Sequence, residues 1–210
     1  MTKTVFISAD HGMAIIYFLQ SDVVSTLLEA GVEVVVLTDD DTKDKIAAKF
    51  TLLSEKSKGR LTFEGLKLKE AAKYASGVQP RWQWLLSSYL RRVGGSWRIN
   101  TEAMDSNIWE VWAENGWKFR LGIWIPSALA ILILRSSRAA RKALVNAQMR
   151  FTPGLYTDLF DRYQPDLVIA STAGWRLDRY LLREAHARGI PTLAAIVGWD
   201  NSSSYTIPGA

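Results

Sequence analysis

The opening of the chain constrains its fold more than any other stretch. Thr4–Ala9 (TVFISA) is an apolar run with no solvent-facing alternation, and it ends abruptly in Asp10-His11-Gly12. A strand that is apolar on both faces must be covered on both, which is the condition of a central strand in a parallel sheet. Residues 15–30 follow with Ile16, Leu19, Val23, Leu27 and Leu28 near helical spacing, and Gly31 stands where a helix would stop. Glu33–Thr38 (EVVVLT) is a second buried run, closed by Asp39-Asp40-Asp41. Two such strands joined by one helix make a β-α-β unit, for which a right-handed crossover is expected.

The alternation continues and then returns late in the chain. Residues 43–54 predict a helix, and residues 60–63 (RLTF) a third strand. Near the C-terminus, residues 152–163 predict a helix with Pro153 at its start. Gln164-Pro165-Asp166 breaks it, and Leu167–Ala170 reads as a strand. Residues 175–188 predict a further helix stopped by Gly189, and residues 192–197 (TLAAIV) a last strand running into Gly198-Trp199-Asp200-Asn201. Between strands three and four, residues 81–92, 104–117 and 126–150 read as helices, with a turn at Gly94-Gly95. The expected fold class is therefore α/β, in one domain spanning 1–210. Its parts are a Rossmann-like parallel sheet with helices on both faces and a large helical insertion, about residues 65–150, between strands three and four.

Composition narrows the function classes. Hydrophobic residues make up 48% and charged residues 22%, as in an ordinary globular protein. With no cysteine there is neither a disulfide framework nor a thiolate metal site, and no other metal-ligand cluster is visible. The first residues lack the basic start, long apolar centre and cleavage site of a signal peptide, so a cytoplasmic location is expected. The net charge of +5 is concentrated: residues 115–157 hold seven cations and no Asp or Glu, leaving −2 for the remainder. A local basic segment implies a local anionic partner. Within it, residues 121–134 (LGIWIPSALAILIL) carry no charge, but 14 residues are too few to span a bilayer, which needs about 20. Arg135, Arg138 and Lys142 follow at helical spacing. Apolar surface beside a basic face suits contact with an anionic membrane surface, placing the protein peripherally on the inner face; a packed core helix with a solvated basic side is the alternative. Trp82, Trp84, Trp97, Trp109, Trp112, Trp117 and Trp124 cluster in the same insertion. They fall at helical, core-facing positions, so no nucleic-acid partner is expected.

In a doubly wound sheet the first and fourth strands are neighbours, and ligands bind beyond their carboxyl ends. That edge is expected to hold Asp10, His11, Gly12 and Met13 after strand one, and Ser171, Thr172, Ala173 and Gly174 after strand four. Gly198-Trp199-Asp200-Asn201 should stand beside them. His11 can accept a proton near neutral pH, as a base activating a hydroxyl must, with adjacent Asp10 a candidate to orient it; the alternative is a loop histidine capping the following helix or bonding backbone. Ser171 and Thr172 offer hydroxyls at a helix start, either to a hydroxylated or phosphorylated ligand or as a cap. Trp199 presents a face on which a sugar ring stacks, and Asp200 and Asn201 hydrogen-bond hydroxyls; a polar turn with one anchoring Trp is the alternative. The first turn has one glycine and an acidic residue, a poor pyrophosphate cradle, and no phosphate-loop motif occurs elsewhere. His186, inside a helix, reads as a surface residue.

The strand–histidine loop–helix opening, the strand begun by Pro165-Asp166 and the late Gly198-Trp199-Asp200-Asn201 resemble the N-terminal domain of GT-B glycosyltransferases of bacterial surface-polysaccharide type, including relatives of the CDP-glycerol glycerophosphotransferases. The resemblance covers most of the chain outside the insertion. It implies that this domain binds a glycan or lipid-linked acceptor. A nucleotide-sugar donor would bind a second, C-terminal Rossmann-like domain not contained in these residues, with no cofactor in this half. It also implies that a histidine on the first loop is the base, a position His11 matches, although family members carry a glycine before that histidine and here Gly12 follows it. The 210 residues alone are then expected not to turn over donor. Other readings of the same residues are a GT-B-like nucleotide-sugar epimerase, a phosphoglycerol transferase, or a non-catalytic α/β binding domain.

Overall fold

A computed structural model of the chain describes residues 2–9, 11–74, 152–171 and 178–195, with isolated positions between 139 and 150. The four main stretches belong to one compact unit formed by residues 1–78 and 152–195. The helices expected within residues 81–150 lie outside the described residues, apart from those isolated positions.

Five strands form one all-parallel sheet in the order β3-β2-β1-β4-β5. They are β1 (Thr4–Ala9), β2 (Glu33–Thr38), β3 (Leu61–Gly65), β4 (Leu167–Ala170) and β5 (Thr192–Ala194). In register, Phe6 pairs with Val35 on one edge of β1 and with Val168 on the other. The direction of winding therefore reverses between β1 and β4, as expected, and the fold is Rossmann-like.

The period-two alternation of strand side chains divides the core in two. Phe6, Val35, Leu37, Val168 and Ala170 point to one face. Val5, Ile7, Ala9, Val34, Val36 and Ile169 point to the other. The first face packs on α5 (Leu68–Lys73), α6 (Thr157–Tyr163) and α7 (Arg179–Ala187) through Ala71, Leu159, Phe160, Tyr180, Leu181 and Leu182. The second packs on α1 (Gly12–Ile15), α2 (Asp22–Glu29) and α3 (Lys43–Lys49) through Ala14, Val24, Leu28 and Ile46. Burying each large aliphatic or aromatic side chain contributes about 1.5–3 kcal/mol, so the double coverage of β1 and β2 dominates stability.

Two expected helices are each broken. The stretch read as residues 15–30 begins earlier, at Gly12, passes through a π-helical turn (Ile16–Gln20) and restarts at Asp22. The break is local chemistry: the Ser21 hydroxyl donates to the Tyr17 carbonyl and accepts from Val23 N, so it caps α2. The stretch read as 43–54 divides at Phe50 into α3 and α4 (Thr51–Lys56). Residues 152–156 precede α6 instead of belonging to it. At the other helix ends Gly31 and Gly189 have φ of 81° and 70°, conformations that glycine adopts without steric cost.

Within this unit one clamp ties the segment between β3 and α5 to the segment that enters α6. The buried Tyr156 hydroxyl donates to the Leu66 carbonyl at 2.8 Å, across 90 positions of sequence. Lys67 Nζ donates to the Leu155 carbonyl at 2.7 Å and pairs with Asp158. Asp40 Oδ2 accepts from Leu68 N, and Asp41 pairs with Lys69, so the acidic turn after β2 anchors the start of α5. Burial raises the Tyr156 phenol well above its ordinary range, and it stays a neutral donor.

Two predictions follow from the clamp and its neighbours. Tyr156→Phe removes the donor and leaves the Leu66 carbonyl with one partner fewer inside the core. Its equilibrium denaturation should show a loss of about 1–3 kcal/mol. Asp158 is held below the usual carboxylate range by its hydrogen bond from Lys67, and Asp166 by that from Lys3 together with Thr4 N. A depressed folded pKa stabilises above the unfolded value of about 3.9 and ceases to do so as pH falls through the folded value. Urea midpoints should therefore drop below about pH 4, and Asp158→Asn and Asp166→Asn should each flatten that acid limb.

Candidate functional site at the carboxyl edge of the sheet

Because β1, β4 and β5 are parallel neighbours, their carboxyl ends lie side by side, about 4.8 Å from strand to strand. Ala170 pairs with Ser8 on one side and Ala194 on the other, and its carbonyl accepts from Ala195 N at 2.9 Å. Residues emerging from these ends share one edge at the point where winding reverses.

His11 stands two positions past β1, half-buried, at the residue preceding α1. Its backbone is extended (φ −154°, ψ 164°), and its carbonyl accepts from Ile15 N at 3.3 Å. The side chain makes no capping hydrogen bond to α1. Gly12 opens the helix, and a Cβ built there meets nothing within 4 Å. Met13 is 51% exposed, an unusual position for a large apolar side chain beside a polar loop. Ser171, the first residue past β4, is buried. On β1 itself the Ser8 hydroxyl is fully buried and has no hydrogen-bond partner among the described residues.

The sheet thus brings His11, with the first turn of α1 that carries Met13, and Ser171 to adjacent strand ends. Asp10, Thr172, Trp199, Asp200 and Asn201 lie outside the described residues, as do Arg135, Arg138 and Lys142. His186 is exposed on α7, the surface position its helical context indicated. Among the described residues no group of acidic, histidine or cysteine side chains could hold a metal ion, and no helix is long and apolar enough to cross a membrane.

No sequence motif marks Arg179 and Arg183, yet they are the least ordinary charges described. They lie four residues apart on the helix that follows the β4 loop, with Arg179 in its first turn. Arg183 is only 3% exposed. Burial, and then the neighbouring Arg179 cation, push it down to about 10. Both guanidiniums lie over the Tyr180 ring, at 5.0 and 5.4 Å from its centroid. Such contacts stabilise by about 0.5–2 kcal/mol, whereas withdrawing a cation from water costs several kcal/mol. No ion pair to either arginine is found among the described residues, so the aromatic contact leaves much of that cost standing. The nearby carboxylate of Glu184 is occupied by Tyr156 N, the Thr157 hydroxyl and Arg188. The spacing Arg-x-x-x-Arg on an otherwise well-buried helix was the available sequence signal.

The chain matches no protein-family model, no curated protein and no solved structure. What can be said of the site therefore rests on its own geometry.

The open space at Gly12 gives a direct check of that geometry. Gly12→Ala should leave stability unchanged or raise it by up to about 1 kcal/mol, since alanine is the better residue in a helical turn. A thermal melt of the variant reads this.

Proposed function

We propose that this chain is the acceptor-binding half of a GT-B glycosyltransferase that moves a sugar from a nucleotide-sugar donor to a glycan or lipid-linked acceptor. The observation that carries the proposal is the position of His11, just past β1 at the switch point, on the strand end adjacent to the one that delivers Ser171. That is where an open parallel sheet binds its ligand.

In this reading an acceptor hydroxyl lies against His11 and the first turn of α1. The His11 imidazole takes the hydroxyl proton as the acceptor oxygen attacks the anomeric carbon, and the nucleoside diphosphate departs with the electrons of the broken bond. Asp10 orients the imidazole. The open backbone at Gly12 and the exposed Met13 receive the acceptor, with Ser171 and Thr172 hydrogen-bonding its hydroxyls. Trp199 stacks on a sugar ring, and Asp200 and Asn201 fix its orientation. The donor occupies the second, C-terminal domain. Arg135, Arg138 and Lys142 hold the enzyme peripherally against an anionic membrane on the cytoplasmic side, where a lipid-linked acceptor would be presented.

His11→Ala in the protein carrying both halves tests this. Transfer should fall about 10²–10⁴-fold in kcat with little change in melting temperature, and the activity of the parent should be recovered toward high pH as solvent base replaces the imidazole. Unchanged turnover in the variant would remove the catalytic role, and a parent that binds glycans without any transfer would favour a binding domain.

A further inference from the structure

We propose that Arg179 and Arg183 form an anion site on the first two turns of α7, built for the phosphate group of a ligand. The geometry is independent of His11 and of the transfer chemistry above. Residues four apart on a helix lie on one face, so the two guanidiniums are neighbours. Each carries a planar fork of donors that matches phosphate oxygens in pairs. Arg183 is 3% exposed, and the Arg179 Nε is buried with no hydrogen-bond partner among the described residues. Two cations held together over one tyrosine repel each other, and an anion bridging them would remove both the repulsion and the unmet hydrogen bonding.

The Glu184 carboxylate does not supply that anion. Glu184 points to the α6 side, toward Tyr156 N and Thr157. Tyr74 closes the aromatic side of the site, edge-on to Tyr180 with centroids 5.4 Å apart. A phosphate dianion meets the demand of two forks better than a single carboxylate does, which selects the ligand class. The phosphate can belong to a soluble nucleotide or to a lipid head group, since both present the same oxygens.

The test uses the full 210-residue chain. Sodium phosphate and sodium pyrophosphate are compared with sodium chloride at matched ionic strength by thermal melting. The parent should melt progressively higher with phosphate, to saturation. Arg183→Met should melt roughly 2–4 °C above the parent in chloride, because an uncompensated buried cation is gone, and should lose the phosphate response. A phosphate response retained in full by Arg183→Met, or absent in the parent, overturns the proposal. Should that variant fail to fold, the side-chain Nε–H resonance of Arg179 in the parent serves instead: a saturable shift with phosphate supports the site and an unmoved signal refutes it. Uridine diphosphate titration and sedimentation with phosphatidylcholine vesicles containing phosphatidate then identify the source. Arg183-dependent binding in the first arm assigns a soluble ligand, and in the second a lipid head group.

Discussion

The hydrogen bonding of β1 along both of its edges is the constraint on which the rest depends. Every residue of Thr4–Ala9 is buried, and a six-residue strand in that position can be satisfied only by parallel partners on both sides and helices on both faces. Given β2 on one edge and β4 on the other, the reversal of winding follows, and with it the edge to which His11 and Ser171 are delivered. A polar substitution at Phe6 would disturb one core and at Ile7 the other, since they sit on opposite faces of the same strand.

The sequence was most readable where burial alone decides the structure. The runs TVFISA, EVVVLT and LVIA have the bounds of the observed strands because an apolar run between turn residues leaves little choice. Helix continuity was less readable. The apolar spacing from Ile16 to Leu28 persists through Ser21, and only the serine's competing hydrogen bonds interrupt the helix. β3 runs to Gly65, two residues beyond its apolar signal, because pairing with Leu37 and Thr38 carries Glu64 and Gly65 along. The edge position of His11 followed from topology, but whether its ring caps α1 could not, since that depends on a backbone angle. The strain at Arg183 was hidden for a different reason: desolvation is a property of the packed helix, and the letters show only an arginine of common type.

Charge is handled in two ways across the described unit. Lys3–Asp166, Lys67–Asp158, Lys69–Asp41 and Arg188–Asp161 are pairs with at least one well-exposed member, and each fastens two elements distant in sequence. Exposed pairs of this kind contribute little individually, about 0–1 kcal/mol, and serve mainly to fix which loop meets which helix. The buried carboxylate of Glu184 is fully engaged with α6 and Arg188. Against that background the Arg179–Arg183 pair stands apart as charge for which no ion pair is found among the described residues, on the helix that follows the β4 loop.

The bonds from Tyr156 to Leu66 and from Lys67 to Leu155 set exit and return points of the long excursion against each other. A segment whose ends are already fastened adds to the cost of folding only through its own closure entropy, which rises by about 0.6 kcal/mol for each doubling in length. Evolution could therefore exchange, shorten or extend what lies between positions 75 and 151 while the sheet stays intact. The parallel core is insulated in this respect from changes in the length of what its own clamp encloses.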